Sequence, residues 1–362
     1  MPATLPPRDC RDHNLIARSV TEPHGQTERS LDAVEQRCRF RAEPHSKSRR
    51  ELHEPSPLTI PDSGPARDQV ARDVTAPPIL PNGAELFARY DVLFSDVWGV
   101  VHDGVTALPG ATEALRAFRR KGGTVVLVSN APVPNFRVAE MLDGKLLPRD
   151  AWDAIVTSGD IALAHVDAAG YQALHWIGPV DRDAALFERV PGPSVALDKA
   201  DAILCSGLDD DINETAESYR GRLEHALARR LPFVCANPDF VVDVGGRHYL
   251  CAGAIADVYE AMGGDVFWAG KPHASAYRAA HEAAERIRAG AIDHHRILVI
   301  GDSIRTDLTG ARLFGVDALF IASGIHRPVL MQGDDIDPAK LALLFEPEGT
   351  PPAVAAQSFL RW

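Results

Sequence analysis

Four short apolar runs, each ending on a polar side chain, constrain the fold of this chain more than any other feature. DVLFSD (91–96), TVVLVSNA (124–131), AIVTSGD (154–160) and HRILVIGDS (295–303) are nearly continuous in apolar character. Strands solvated on one face alternate apolar and polar residues, and these do not. Between them stand amphipathic stretches of helical period, among them ATEALRAFRRKGG and TDLTGARLFG, each closed by glycine. Buried strands alternating with such helices predict an α/β fold, with a Rossmann-like parallel sheet covered on both faces.

A chain of 362 residues exceeds the size at which a single hydrophobic core stops growing, so two folded units are expected. Residues 160–262 carry shorter αβ units of their own: HVDAAGYQALHWIG, ADAILCSGL, the helix NETAESYRGRLEHALARR, and PFVCANPDF. They read as an α/β domain inserted into a core made of 76–159 and 263–345. Residues 1–75 mix Arg, Glu, His, Ser and Pro without sustained periodicity. Such a segment buries too little apolar area to offset its ordering entropy. It reads as a disordered extension or as a gene start placed upstream of the true one, and no chemistry is assigned to it.

Fifty acidic against 38 basic residues give a formal charge of -12. That balance argues against the basic face a nucleic-acid partner requires. It also means that any phosphate site must be built locally, from a metal, a lysine or helix N-termini. No run reaches the roughly 20 apolar residues of a membrane helix, and the N-terminus lacks a signal-type apolar core. The five cysteines (Cys10, Cys38, Cys205, Cys235, Cys251) form no C-x-x-C pair, which fits a reducing compartment. A cytoplasmic protein is expected, without membrane or nucleic-acid partners.

Ligands of open parallel sheets bind at the C-terminal ends of the strands. There the sequence places Asp96, Ser129, Ser158 and Asp302. VIGDSIRTDLTGA sets Asp307 five residues beyond Asp302, and two such carboxylates suit Mg²⁺, which takes one or two acids plus water and phosphate oxygens. For Asp307 alone, an acid favoured by a helix N-terminus is the competing reading. Lys271, in WAGKPHASAY, stands at a strand-to-helix junction where a lysine can neutralise an acid and a phosphoryl group together.

This ordered set, strand-Asp, strand-Ser, G-K-P and G-D-x-x-x-x-D, resembles the haloacid dehalogenase superfamily of phosphohydrolases over about residues 85–325. The large insert between the Ser129 and Lys271 motifs is similar to the class IIA cap of the branch holding nucleotide, sugar-phosphate, 4-nitrophenyl-phosphate and pyridoxal-phosphate phosphatases. CANPDF (235–240) and the CAGAIADVYEAMGG run before GKP are similar to that branch as well. The resemblance implies that Asp96 attacks phosphorus and forms an aspartyl-phosphate that water hydrolyses. It implies Mg²⁺ held by Asp96, Asp302, Asp307 and the backbone carbonyl of Trp98, with Ser129, Asn130 and neighbouring N–H groups on the phosphate and Lys271 offsetting charge. Asn237 and Asp239 would lie at the cap–core junction, and the cap can serve as a homodimer surface.

One position departs from the pattern. The hydrolases of this superfamily read D-x-D, and the second acid transfers the proton, a contribution of about 10²–10⁴-fold. Here that position is Trp98. His102 or Asp103, in the same loop, can supply a surrogate acid or base. Alternatively the substrate needs no acid, as with an acyl or aryl phosphate, or the protein binds a phospholigand with little turnover. Haloacid dehalogenation, which uses an aromatic at this position, needs no metal and is disfavoured by Asp302 and Asp307. The sequence thus predicts a Mg²⁺-dependent hydrolase of a small phosphorylated metabolite, either a sugar phosphate or a phosphate with a good leaving group.

Overall fold

The computed structural model describes residues 76–362, apart from 245, 246 and 348. The segment 1–75, with Cys10 and Cys38, lies outside the described residues. The central sheet contains β1 (Val92–Ser95), β2 (Thr124–Ser129), β3 (Ala154–Thr157), β10 (Ile297–Gly301), β11 (Asp317–Ile321) and β14 (Ala355–Gln357). Its order is β14-β11-β10-β1-β2-β3, and every pairing is parallel.

The unbroken apolar character of DVLFSD follows from its central place. Val92 and Phe94 enter one core with Ala276, Tyr277 and Ala280 of the helix Ala274–Arg288. Leu93 enters the opposite core with Leu115 and Phe118 of the helix Ala111–Arg120. With helices on both faces, a strand has no solvated side on which polar residues can alternate. Each such buried side chain contributes about 1.5–3 kcal/mol of transfer free energy.

A second parallel sheet has the order β4-β5-β6-β9, with β4 (Leu174–Ile177), β5 (Ala202–Cys205), β6 (Phe233–Cys235) and β9 (Val266–Trp268). It too is covered on both faces. Tyr219, Leu223 and Tyr259 pack on one, and Val166, Leu186 and Phe187 on the other. An antiparallel hairpin, β7 (Val241–Val244) and β8 (Arg247–Leu250), separates β6 from β9. Two short strands, β12 (Met331–Gln332) and β13 (Asp335–Ile336), form another. The fold is thus an α/β protein, a Rossmann-like parallel-sheet core with an inserted α/β cap.

The sheets run past the limits expected from sequence. β9 lies beyond 262 yet belongs to the cap sheet, and β14 lies beyond 345 yet closes the core sheet. β9 is the strand that leads into Lys271, and it pairs with β6 rather than with the core sheet. AIVTSGD is a strand only to Thr157. A helix, Ser158–Ala169, starts there, with the Thr157 hydroxyl accepting the Asp160 N–H at 3.1 Å. The expected boundary at 160 therefore falls inside a helix whose Ala162 and Val166 pack under the cap sheet. Among the described residues no helix is long and apolar enough to cross a membrane.

Candidate active site

The chain enters the core sheet at β1, builds outward to β2 and β3, then crosses back to β10 on the other side of β1. β1 and β10 therefore flank the topological switch point, where an open α/β sheet has its crevice. Register aligns Ser95 with Ile300. The Asp96 N–H continues the ladder to the Ile300 carbonyl at 2.8 Å. Asp96 and Asp302 consequently leave the sheet side by side.

Asp96, Asp302 and Asp307 each offer a carboxylate oxygen within 4.8 Å of the other two. Lys271 Nζ donates to Asp96 Oδ1 at 2.6 Å and to Asp307 Oδ1 at 2.8 Å. The Val97 N–H donates to the same Asp96 oxygen at 2.7 Å. Asp302 Oδ2 accepts the Ile325 N–H at 2.6 Å, and a Cβ at either Gly99 or Gly324 would overlap that oxygen. Glycine at both positions is what lets the backbone close around the carboxylate.

All of this is nearly dry: Asp302 is 6% exposed, Lys271 3% and Asp307 1%. Burial raises the Asp302 carboxyl well above its ordinary range, and the Asp96 and Asp307 charges push in the same direction. Burial also raises Asp96, against the pull of Lys271. For Lys271 burial acts downward, but Asp307 and Asp96 outweigh it and hold the ammonium charged. Three carboxylates face one ammonium, leaving negative charge that a few N–H donors do not neutralise. An oxygen-only donor set of this charge fits a hard divalent cation such as Mg²⁺.

A cavity of about 640 Å³ opens over the cluster. Asp96, Ser129, Lys271 and Asp302 line it, as do Trp98 and Asp103. Asp307 does not reach its wall, and its contacts run to Lys271 and to the Ser303 N–H (3.2 Å). Asn130 lines the cavity, but its side chain is committed elsewhere. Oδ1 accepts the Lys271 N–H at 2.8 Å, while Nδ2 donates to the Lys271 carbonyl (3.0 Å) and to Asp239 Oδ1 (2.9 Å). The Asn130 side chain thus clamps the lysine backbone, and the residue itself stays on the cavity wall. Asn237 and Asp239, expected at the cap–core junction, also line the cavity.

The two expected surrogates for the missing acid are placed poorly for that work. His102 is fully buried, absent from the cavity wall, and edge-on to the Trp98 ring at 5.1 Å. Its Nδ1 accepts the Gly104 N–H at 2.8 Å. Burial, and then Lys145, push the imidazole down to about 4, so it is neutral at pH 7. Asp103 reaches the wall, yet its Oδ1 closes its own turn by accepting the Val105 and Thr106 N–H groups at 2.9 and 2.7 Å. Burial raises its carboxyl, but those donors outweigh it and hold it below the ordinary range.

Sequence reasoning missed the far wall of the cavity, where Arg182 and Ser206 stand with the hairpin residues Val242 and Tyr249. The strand-end logic used on the core sheet applies equally to AILCSG, where Ser206 follows β5.

With this geometry in hand, the likenesses to known proteins are specific. Residues 93–188 match the haloacid dehalogenase-like hydrolase model, and 268–343 match a HAD-hydrolase-like model. A crystal structure of a haloacid dehalogenase-like family hydrolase from Brucella suis 1330 is 40% identical. The match covers 78% of this chain and 100% of that one, with a TM-score of 0.67. Ribonucleotide monophosphatase NagD of Escherichia coli (strain K12) is 25% identical over 284 residues, 72% of this chain and 95% of that protein. The 4-nitrophenylphosphatase structure from Thermotoga maritima shares the fold, with 20% identity, 75% and 95% coverage and a TM-score of 0.55. The chain belongs to the haloacid dehalogenase-like hydrolase family, and it is a hydrolase.

Proposed function

We propose that this protein is a Mg²⁺-dependent phosphatase of the class IIA branch, cleaving a small phosphorylated metabolite through an aspartyl-phosphate on Asp96. The observation that carries the reading is the buried Asp96–Lys271–Asp307 chain beside Asp302, at the switch point of the sheet and open to a ligand-sized cavity. The activities named for relatives, a ribonucleotide monophosphatase and a 4-nitrophenylphosphatase, support phosphate monoesters as the substrate class. On this reading the core comprises the six-stranded sheet and its helices, and the cap the four-stranded sheet and the hairpin.

Asp96 Oδ1 is held by Lys271 and Val97, which leaves Oδ2 to attack phosphorus and form the acyl phosphate. Lys271 stays charged and balances the incoming phosphoryl group. Ser129 and the N–H groups around it bind phosphoryl oxygens. Asp96, Asp302, Asp307 and the Trp98 carbonyl are the groups that would hold Mg²⁺, which would supply charge stabilisation to the phosphoryl oxygens. Water then cleaves the acyl phosphate.

Trp98 transfers no proton, and neither His102 nor Asp103 is placed to replace it. This favours a leaving group that departs without an acid, as from an acyl or aryl phosphate. A second reading, a phospholigand-binding protein of low turnover, draws on the same tryptophan. Phosphate release from a panel including acetyl phosphate and 4-nitrophenyl phosphate, with Mg²⁺, decides between them. Asp96→Asn is expected to abolish release. Turnover that survives it removes Asp96 as nucleophile, and tight binding without release selects the second reading.

A further inference from the structure

Lysine and arginine side chains line the cavity at three positions, Arg182, Lys271 and Arg327. Two of them are matched to acids. Lys271 bridges Asp96 and Asp307 at 2.6 and 2.8 Å. Arg182 donates to Asp183 at 3.1 and 3.2 Å and to Asp211 at 2.6 Å. Arg327 differs. Among the described residues its carboxylate neighbour is Asp334, 3.8 Å away, which is beyond hydrogen-bond length. Its Cζ lies 5.3 Å from the centre of the Phe359 ring, a cation–π contact that steadies the group without neutralising it. The side chain is 44% exposed, so its N–H donors are open to whatever enters the cavity.

The segment after β11 sets this arginine beside the acid cluster. Gly324 closes on Asp302, and the Ile325 N–H bonds Asp302 Oδ2 at 2.6 Å. The Arg327 N–H then bonds the Gly324 carbonyl at 2.9 Å, a tight turn that keeps the two Cα atoms within about 7 Å. Trp98 lines the same cavity. Its ring rests on Gly104, where a Cβ would come within 2.5 Å of it, so the indole is held in place and offers no proton. A group displaced by Asp96 therefore leaves with its negative charge, and Arg327 is the wall cation with charge to spare.

We infer that Arg327 receives the leaving group and that this group is a carboxylate, so the substrate is an acyl phosphate. The inference rests on the phosphatase reading and narrows it. The bond from Asp96 Oδ2 to phosphorus forms while the bond from phosphorus to the acyl oxygen breaks. The electron pair stays on that oxygen, and no proton moves. The guanidinium fork matches the planar O–C–O of a carboxylate in two parallel hydrogen bonds; a phenolate has one oxygen to offer. The attraction grows as charge develops on the departing oxygen, so it lowers the barrier and does more than tighten binding.

Benzoyl phosphate and 2,4-dinitrophenyl phosphate test this, because their leaving groups are nearly equal in acidity and differ in offering two oxygens or one. With Mg²⁺ present, kcat/KM is expected to be about 10-fold or more higher for benzoyl phosphate. Arg327→Met is expected to erase that preference, and Arg327→Lys, which keeps the charge without the fork, to restore part of it. Competitive inhibition by benzoate is expected to weaken about 10-fold in Arg327→Met. Equal wild-type rates on the two esters overturn the assignment. So does an equal loss on both in Arg327→Met, which would place the arginine on the phosphoryl group. A larger loss on 4-carboxyphenyl phosphate than on benzoyl phosphate also overturns it, by moving the carboxylate to the far end of the substrate. Each of these results leaves the phosphatase standing. Absence of phosphate release from all three esters removes the phosphatase reading, and the leaving-group assignment with it.

Discussion

Asn130 holds Lys271 by its backbone at both ends, accepting its N–H at 2.8 Å and donating to its carbonyl at 3.0 Å. The lysine that bridges two acids of the buried cluster is therefore positioned by a residue just past the end of β2, 141 positions earlier in the chain. Asn130→Leu strips partners from the Lys271 peptide and from Asp239 at once. It is expected to cost about 1–3 kcal/mol of stability and to slow phosphate release by roughly 100-fold through misplacement of Nζ. Urea melts and phosphate assays on the variant check both numbers. An unchanged kcat would show that the clamp is structural only.

Lys271→Met removes the ammonium from among Asp96, Asp302 and Asp307. Breaking a buried ion pair in this way costs about 3–5 kcal/mol, and the loss is expected to be largest with chelator present. Mg²⁺ is expected to raise the melting temperature of wild type, and at a hundredfold excess over Kd it stabilises by about 2.7 kcal/mol. Asp302→Asn should abolish that rise. A melting temperature indifferent to Mg²⁺ in wild type counts against the metal site.

Trp98→Asp places a carboxyl where the indole now stands. The expected outcome is a gain of roughly 100-fold on an alkyl phosphate, within the range ordinary for acid–base catalysis, and little change on acetyl phosphate. Parallel assays of the two proteins on the two substrates read this as a ratio. Equal changes on both substrates would show that proton transfer is not what the tryptophan withholds.

His102 makes a prediction about acid stability. Its folded-state value, about 4, lies below the ordinary 6.5 because burial disfavours the cation. As pH falls through 6.5 the unfolded chain takes up a proton that the folded protein refuses until about 4. Across that window the residue lowers stability by up to about 1.4 kcal/mol per pH unit. His102→Gln removes the titration and is expected to flatten the wild-type loss between those limits, measured by urea melts at a series of pH values. Identical pH profiles for the two proteins would refute the buried, neutral imidazole.

The core elements were legible because their cause is local. DVLFSD and HRILVIGDS advertise strands buried on both faces, and parallel sheets gather ligands at strand ends. Asp96 and Asp302 could thus be placed together without knowing their separation. The strand Ala355–Gln357 escaped, and the strand before Lys271, Val266–Trp268, was given to the core rather than to the four-stranded sheet, because sheet membership comes from distant partners. The contacts of Asn130 and His102 were illegible for a related reason. Nothing beside Asn130 in sequence says that its amide meets the Lys271 peptide, and nothing in VVHDG says that the histidine turns inward behind Trp98.

The sequence by itself determined the α/β class, the acids at the switch point and the absence of a proton donor at position 98, because periodicity and residue type decide these. Only the tertiary structure decided which polar groups pair with one another and which are left unpaired at the cavity wall. Hydrogen bonding and burial depend on what the fold brings within about 3 Å, and those neighbours come from segments far apart in the chain.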